Sequence, residues 1–188
     1  SFQHVLHGGN LATPAFVLAL FGVLGVFYLP GLWTPVRQVM TTRPMLAVGG
    51  LVLALLVALV PETTSTMPPD TRRYGALWNL AGALPDLAGR TSLLILFLAP
   101  VGMLVVLTIL IGLPRRDRWV WLTALLGFTA AQTASAMCWQ RYIEPMVLIL
   151  LAVGSATIHA RYHPLGRAEA RARVVGPLLL ALGLAGVM

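Results

Sequence analysis

Apolar residues fall into six runs along this chain, and polar residues collect between them. The runs are Leu11–Leu32, Met45–Val60, Leu93–Leu113, Trp119–Met137, Met146–Ile158 and Val174–Met188. At about 1.5 Å per residue, runs of this length approach or exceed what a hydrocarbon core about 30 Å thick requires of a helix. Pro14 fits a first helical turn, where a missing N–H costs little. Pro30-Gly31 ends the first run, Pro44 opens the second, and Pro100 and Gly102 interrupt the third. The pattern predicts an all-α fold: one polytopic transmembrane helix bundle over residues 1–188. Its five to six membrane helices fall at about 11–32, 44–60, 93–113, 119–137, 145–160 and 174–188.

The longest polar connection, 61–92, opens with Pro61-Glu-Thr-Thr-Ser-Thr-Met-Pro-Pro-Asp70, which has turn and extended chemistry. Asp70 then stands where it caps a short helix from Thr71 to Leu84. Tyr74, Leu77, Trp78, Ala81 and Leu84 share one face of it, while Arg72, Arg73 and Asn79 lie elsewhere. That is an amphipathic helix, either lying in the membrane interface or packed on the bundle. Between the fourth and fifth runs, the polar corner Cys138-Trp-Gln-Arg-Tyr-Ile-Glu-Pro145 turns a helical hairpin round.

Composition says which solvent the bundle uses. Hydrophobic residues make up 58% of the chain and charged residues 10%, with a mean hydropathy of +0.84. Soluble domains carry about 25% charged residues, so this chain has too little charge to cover a water-facing surface.

The net charge of +7 comes from thirteen arginines and no lysine. The arginines sit in short gaps between apolar runs, as the positive-inside bias requires. This distribution excludes a phosphate-tracking face, so no nucleic-acid partner is expected. Connections 34–43, 114–118 and 160–173 hold two, three and four arginines, and the corner 138–145 holds one; loop 61–92 holds three, but long connections weigh less in this bias. These counts predict that the three basic connections are cytoplasmic, with the amino terminus, loop 61–92 and the corner on the outer side. Abundant Ala, Leu, Gly and Arg without Lys match high-GC bacterial coding, which makes the expected location a bacterial inner membrane.

Candidate chemistry is sparse. A single cysteine, Cys138, excludes an internal disulfide and a multi-cysteine metal site. His4 and His7 lack a third ligand nearby, and Gly8-Gly9 disfavours a helix there, so neither metal nor cofactor is expected. Thr129, Gln132, Thr133 and Gln140 form a polar stripe, read either as interhelical hydrogen bonding or as a cavity opening outward. Arg141 and Glu144, three apart, suit an ion pair. Arg141, Arg72 and Arg73 suit either headgroup contact or a lipid-linked phosphate, because the guanidinium fork donates two hydrogen bonds and keeps its charge.

Two segments carry a resemblance. Arg73-Tyr-Gly-Ala-Leu-Trp-Asn-Leu80, followed by Leu84-Pro85 and Gly89-Arg-Thr-Ser92 before a membrane helix, resembles the later part of bacterial polytopic glycosyltransferases of the GT-C type. Trp139-Gln-Arg-Tyr-Ile-Glu-Pro145 entering a helix does so too. The resemblance spans about residues 60–160. It implies a carboxy-terminal portion of an enzyme that takes a polyprenyl-phosphate sugar at the outer membrane face, or a relative of such an enzyme without catalytic function. On it, Asp70 or Glu144 is the catalytic base, and Arg72, Arg73, Gln140, Arg141 and Tyr142 bind substrate. The family places its catalytic acid in the first outward loop, whereas residues 1–10 contain no Asp or Glu.

The competing expectation is a non-catalytic accessory subunit of a larger bacterial membrane complex, whose partners are lipids and other membrane subunits. Small-residue faces such as Gly22/Gly25, Gly49/Gly50 and Gly183/Gly186 would serve close helix approach there.

Overall fold

In a computed structural model of the chain, residues 9–63, 72–135, 137–162 and 166–185 are described. The helix the others surround is α1, Thr13–Gly25. Only Pro14 and Val23 of it are half-buried, and the rest are buried. A helix apolar around its whole circumference needs neighbours on every side. The closest is α5, Leu93–Gly112. A Cβ on Gly22 would strike the Leu98 carbonyl, and one on Gly102 would strike the Leu18 carbonyl. The two backbones therefore approach without intervening side chains, as small residues permit.

The first apolar run breaks earlier than its composition predicts. After Gly25 the chain makes a 3-10 turn at Leu29–Leu32 and enters α2, Trp33–Thr42. The two arms meet at 86°. Connection 34–43, expected to be a loop, is thus helical. Pro30 and Pro35 both fall in first turns, where proline is tolerated. Pro35, Val36 and Val39 are buried, and Trp33, Arg37 and Met40 are exposed, so α2 is amphipathic. Helix α3, Pro44–Leu59, buries only Ala47, Ala54 and Ala58.

Helix α4, Ala76–Ala83, is shorter than the predicted 71–84 helix because a strand, β1, occupies Arg72–Tyr74. Strands β2, Asp86–Leu87, and β3, Thr91–Ser92, pair antiparallel and lead into α5. Helix α6, Arg115–Thr133, starts four residues before the predicted run, taking the charged segment after Pro114 as its first turn. There Asp117 suits the positive end of the helix dipole. The Arg118 guanidinium donates to the carbonyls of Ile111 and Leu113, at 3.4 and 3.2 Å, at the end of α5. Strand β4, Met137–Trp139, precedes α7, Gln140–Arg161. The polar corner is therefore a strand and the first turns of a helix, not a loop. Helix α8, Arg167–Ala185, closes the described chain. The fold is mostly helical, with two short strand pairs that an all-α expectation omits.

By length and composition, two described helices can cross a membrane, Leu93–Gly112 and Gln140–Arg161; the bent pair Thr13–Gly25 and Leu29–Thr42 counts as a third only if its two arms together form one span. The sequence pattern predicts five or six. The other runs fall short for separate reasons. Helix α3 has 16 residues, about 24 Å. Charged residues occupy the first turn of α6 and the first two turns of α8, leaving shorter apolar remainders.

Contacts sort the connections to two ends of the bundle. At one end, Gly112 faces Ile158 and Pro35, and Gly31 faces Arg173. At the other, the Asn10 amide donates to the Thr133 carbonyl at 2.8 Å, and Phe16 stacks on Trp78 with ring centroids 4.5 Å apart. The described parts of connections 34–43, 114–118 and 160–173 thus lie at one end, opposite the described parts of loop 61–92 and the corner 138–145.

Candidate functional site

The two polar segments that the sequence separates by about sixty residues are neighbours. Strands β1 and β4 pair in parallel, matching Arg72 with Met137, Arg73 with Cys138 and Tyr74 with Trp139. Gly75 then turns the chain into α4. Its φ is +144°, a conformation L side chains rarely adopt. A Cβ there would also collide with the Gln140 side chain. Both facts restrict the position to glycine.

Gln140 uses the space Gly75 leaves. Its Oε1 accepts the Leu77 backbone N–H at 2.8 Å, one of the unpaired donors at the start of α4. Its Nε2 donates to Glu144 Oε2 at 3.0 Å, one turn further along α7. The Trp78 indole N–H donates to the Cys138 carbonyl at 3.1 Å. Helix α4 is therefore held against the bundle, with Leu77, Trp78 and Ala81 buried. Of the two readings of this helix, packing on protein is the one realised.

Arg141 and Glu144 do not form the ion pair their spacing suggests. Arg141 instead lies over the Trp139 ring at 4.2 Å and the Tyr142 ring at 4.8 Å, and donates to the Tyr142 hydroxyl at 3.0 Å. The Trp139 and Tyr142 rings are nearly parallel, 5.4 Å apart. Arg141 and Tyr142 are exposed, whereas Glu144 is half-buried. The guanidinium is thus held in place by ring faces and the Tyr142 hydroxyl.

Of the predicted site residues, Gln140, Arg141, Tyr142 and Glu144 form one cluster. Strand pairing brings the backbone of Arg72 and Arg73 alongside Met137 and Cys138, just before the cluster. Asp70, the other candidate base, lies outside the described residues, as do His4, His7 and His163. The polar stripe disperses: the Thr133 hydroxyl donates back to the Thr129 carbonyl at 2.7 Å within α6, and Gln140 belongs to the cluster. Cys138 is fully buried. Among the described residues no group of three His, Cys, Asp or Glu gathers to hold a metal.

Sequence reasoning missed Gly75, Leu77 and Trp139 as parts of this site. Gly75 before the apolar face of α4 was the available signal. The chain matches no protein-family model, no curated protein and no solved structure.

Proposed function

We propose that this chain is a multi-pass membrane protein of the GT-C glycosyltransferase type, whose strand-paired cluster receives the phosphate of a polyprenyl-phosphate sugar. The observation that supports this reading is the exposed Arg141 guanidinium, held against the Trp139 and Tyr142 rings, just past where β4 pairs with the strand carrying Arg72 and Arg73. Guanidinium forks match phosphate oxygens two at a time. The aromatic rings suit the boundary where a lipid chain meets its polar head.

On this reading α3, α6 and α8 are embedded too. Beyond the charged first turns of α6 and α8, their exposed surfaces are largely apolar, with Met45, Val52, Leu56, Leu126, Leu178 and Leu182 among them. The cluster end faces outward and the arginine-rich end faces the cytoplasm of a bacterial cell.

In the transfer step an acceptor hydroxyl attacks the anomeric carbon as the bond from that carbon to the phosphate oxygen breaks. Polyprenyl phosphate leaves with the bonding electrons, and a carboxylate takes the hydroxyl proton. Glu144 and Asp70 are the candidates for that carboxylate. Gln140 orients Glu144, and Arg141 neutralises charge on the departing phosphate.

The test is sugar transfer from a lipid-linked donor by the purified protein. R141A should weaken donor binding by about 10- to 100-fold, the worth of a charge-assisted hydrogen bond. Substituting the true base, in E144A or D70A, should abolish transfer while donor binding remains. Transfer that persists in R141A and in both acid variants overturns the assignment.

The second reading is an accessory subunit, favoured by the apolar exposure of α3 and α8. Stoichiometric co-migration with a larger assembly in mild detergent, without transfer activity, would establish it.

A further inference from the structure

We propose that α2 is an in-plane membrane anchor, and that the end of the bundle it crosses is a docking surface for the phosphate headgroups of anionic phospholipids. This rests on the bundle's lying in a bilayer, and not on the lipid-linked sugar reading, which concerns the opposite end.

Helix α1 runs alongside α5, one of the two helices able to cross the membrane by itself. The 86° elbow after it turns α2 crosswise to that direction. With α5 upright in a bilayer and α1 packed along it, α2 lies across the end of α5, close to parallel with the membrane surface. The side chains of α2 agree. Pro35, Val36 and Val39 face the protein, and Pro35 meets the end of α5 at Gly112. The exposed edge alternates apolar and cationic residues, Trp33, Arg37 and Met40, and continues through Arg43 to exposed Met45 and Leu46 at the start of α3. A water-facing or nucleic-acid-facing helix has no use for an exposed Trp and Met between its arginines. A helix at headgroup depth uses both, because its apolar side chains enter the acyl boundary while guanidinium groups stay with phosphates.

Charge at this end is one-sided. Arg37, Arg43, Arg115, Arg116, Arg167 and Arg171 are exposed. The acids on the same connections are Asp117, half-buried in the first turn of α6, and Glu169, buried and 3.4 Å from the Arg173 guanidinium. Six exposed arginines against these two acids leave this end strongly positive, and the charge complement it fits is a layer of lipid phosphates.

The experiment places a fluorophore on Met40→Cys. The native Cys138 is buried and stays unlabelled. The full chain is reconstituted in phosphatidylcholine bilayers containing a little phosphatidylglycerol. A quencher near the headgroup is carried either on phosphatidylglycerol or on phosphatidylcholine. Both lipids should quench, and the anionic carrier should quench several-fold more strongly. R37Q/R43Q/R115Q/R116Q in the labelled chain should equalise the two, while R37K/R43K/R115K/R116K keeps the preference, which separates lost charge from lost fold. Absence of quenching by either lipid overturns the in-plane anchor. Equal quenching of the unsubstituted labelled chain overturns the anionic docking surface. Sugar transfer at the far end is measured separately, so failure of one proposal leaves the other standing.

Discussion

At the level of single residues, the site depends on one glycine and one indole. Gly75 combines a φ of +144° with direct apposition to Gln140. Gly75→Ala should destabilise the folded state by more than about 1 kcal/mol, read as a lowered melting temperature in detergent. Its local signature is loss of the Gln140–Leu77 bond. Trp78→Phe keeps a ring to stack on Phe16 but leaves the buried Cys138 carbonyl without its indole donor. It should cost about 1–3 kcal/mol by the same measurement, with the helical content unchanged. Neither role was legible beforehand. Hydrophobic periodicity put Trp78 on the buried face of its helix but carries no information about which carbonyl its N–H meets. Arg141 and Glu144 show the same limit. Their spacing permits an ion pair, yet Trp139 and Gln140, adjacent in sequence, offer each a nearer partner.

Helices and strands were legible to different degrees. Helix α5 matches the third apolar run almost residue for residue, because no competing contact shifts either end. Helix α6 begins earlier than its apolar run because Arg118 caps α5, which only the packed pair can disclose. Residues 72–74 form a strand where the sequence predicts helix, since their partner, 137–139, lies far along the chain. The elbow after Gly25 was hidden because Val26–Leu29 is as apolar as the helix before it. The Gly22/Gly25 face was legible, and it is where α1 meets α5.

That contact makes a prediction by contrast. Gly102→Ala should force α1 and α5 apart and cost about 1–3 kcal/mol or more. Gly127→Ala, in α6 with open space around the added methyl, should stabilise by up to about 1 kcal/mol through helix propensity. Paired thermal melts check both signs. At α8, Glu169→Gln deprives Arg173 of a carboxylate where both side chains are nearly buried, at 12% and 6% exposure. Breaking such a pair costs about 3 kcal/mol. Limited proteolysis should then cut near α8 before the rest of the chain.

For the molecule as a whole, counting arginines in the short connections, with the long loop 61–92 discounted, separated the same two groups of segments whose described parts packing gathers at opposite ends. That agreement has a physical basis: antiparallel succession of helices sends alternate connections to alternate ends whatever the details of each helix. The number of crossings was less legible, because hydropathy does not reveal that charged turns join α6 and α8 or that α2 folds across the bundle.

The proposed function depends on the two ends of the bundle facing opposite sides of a membrane, the Gln140–Glu144 cluster outward. Native Cys138 is fully buried and cannot report on it, so the measurement uses introduced cysteines at exposed positions, Ala83→Cys beside the cluster and Ala168→Cys at the arginine-rich end. With a membrane-impermeant maleimide on intact cells, Ala83→Cys should label at once and Ala168→Cys only after lysis. Labelling of Ala168→Cys alone in intact cells, or of both positions, would contradict the account.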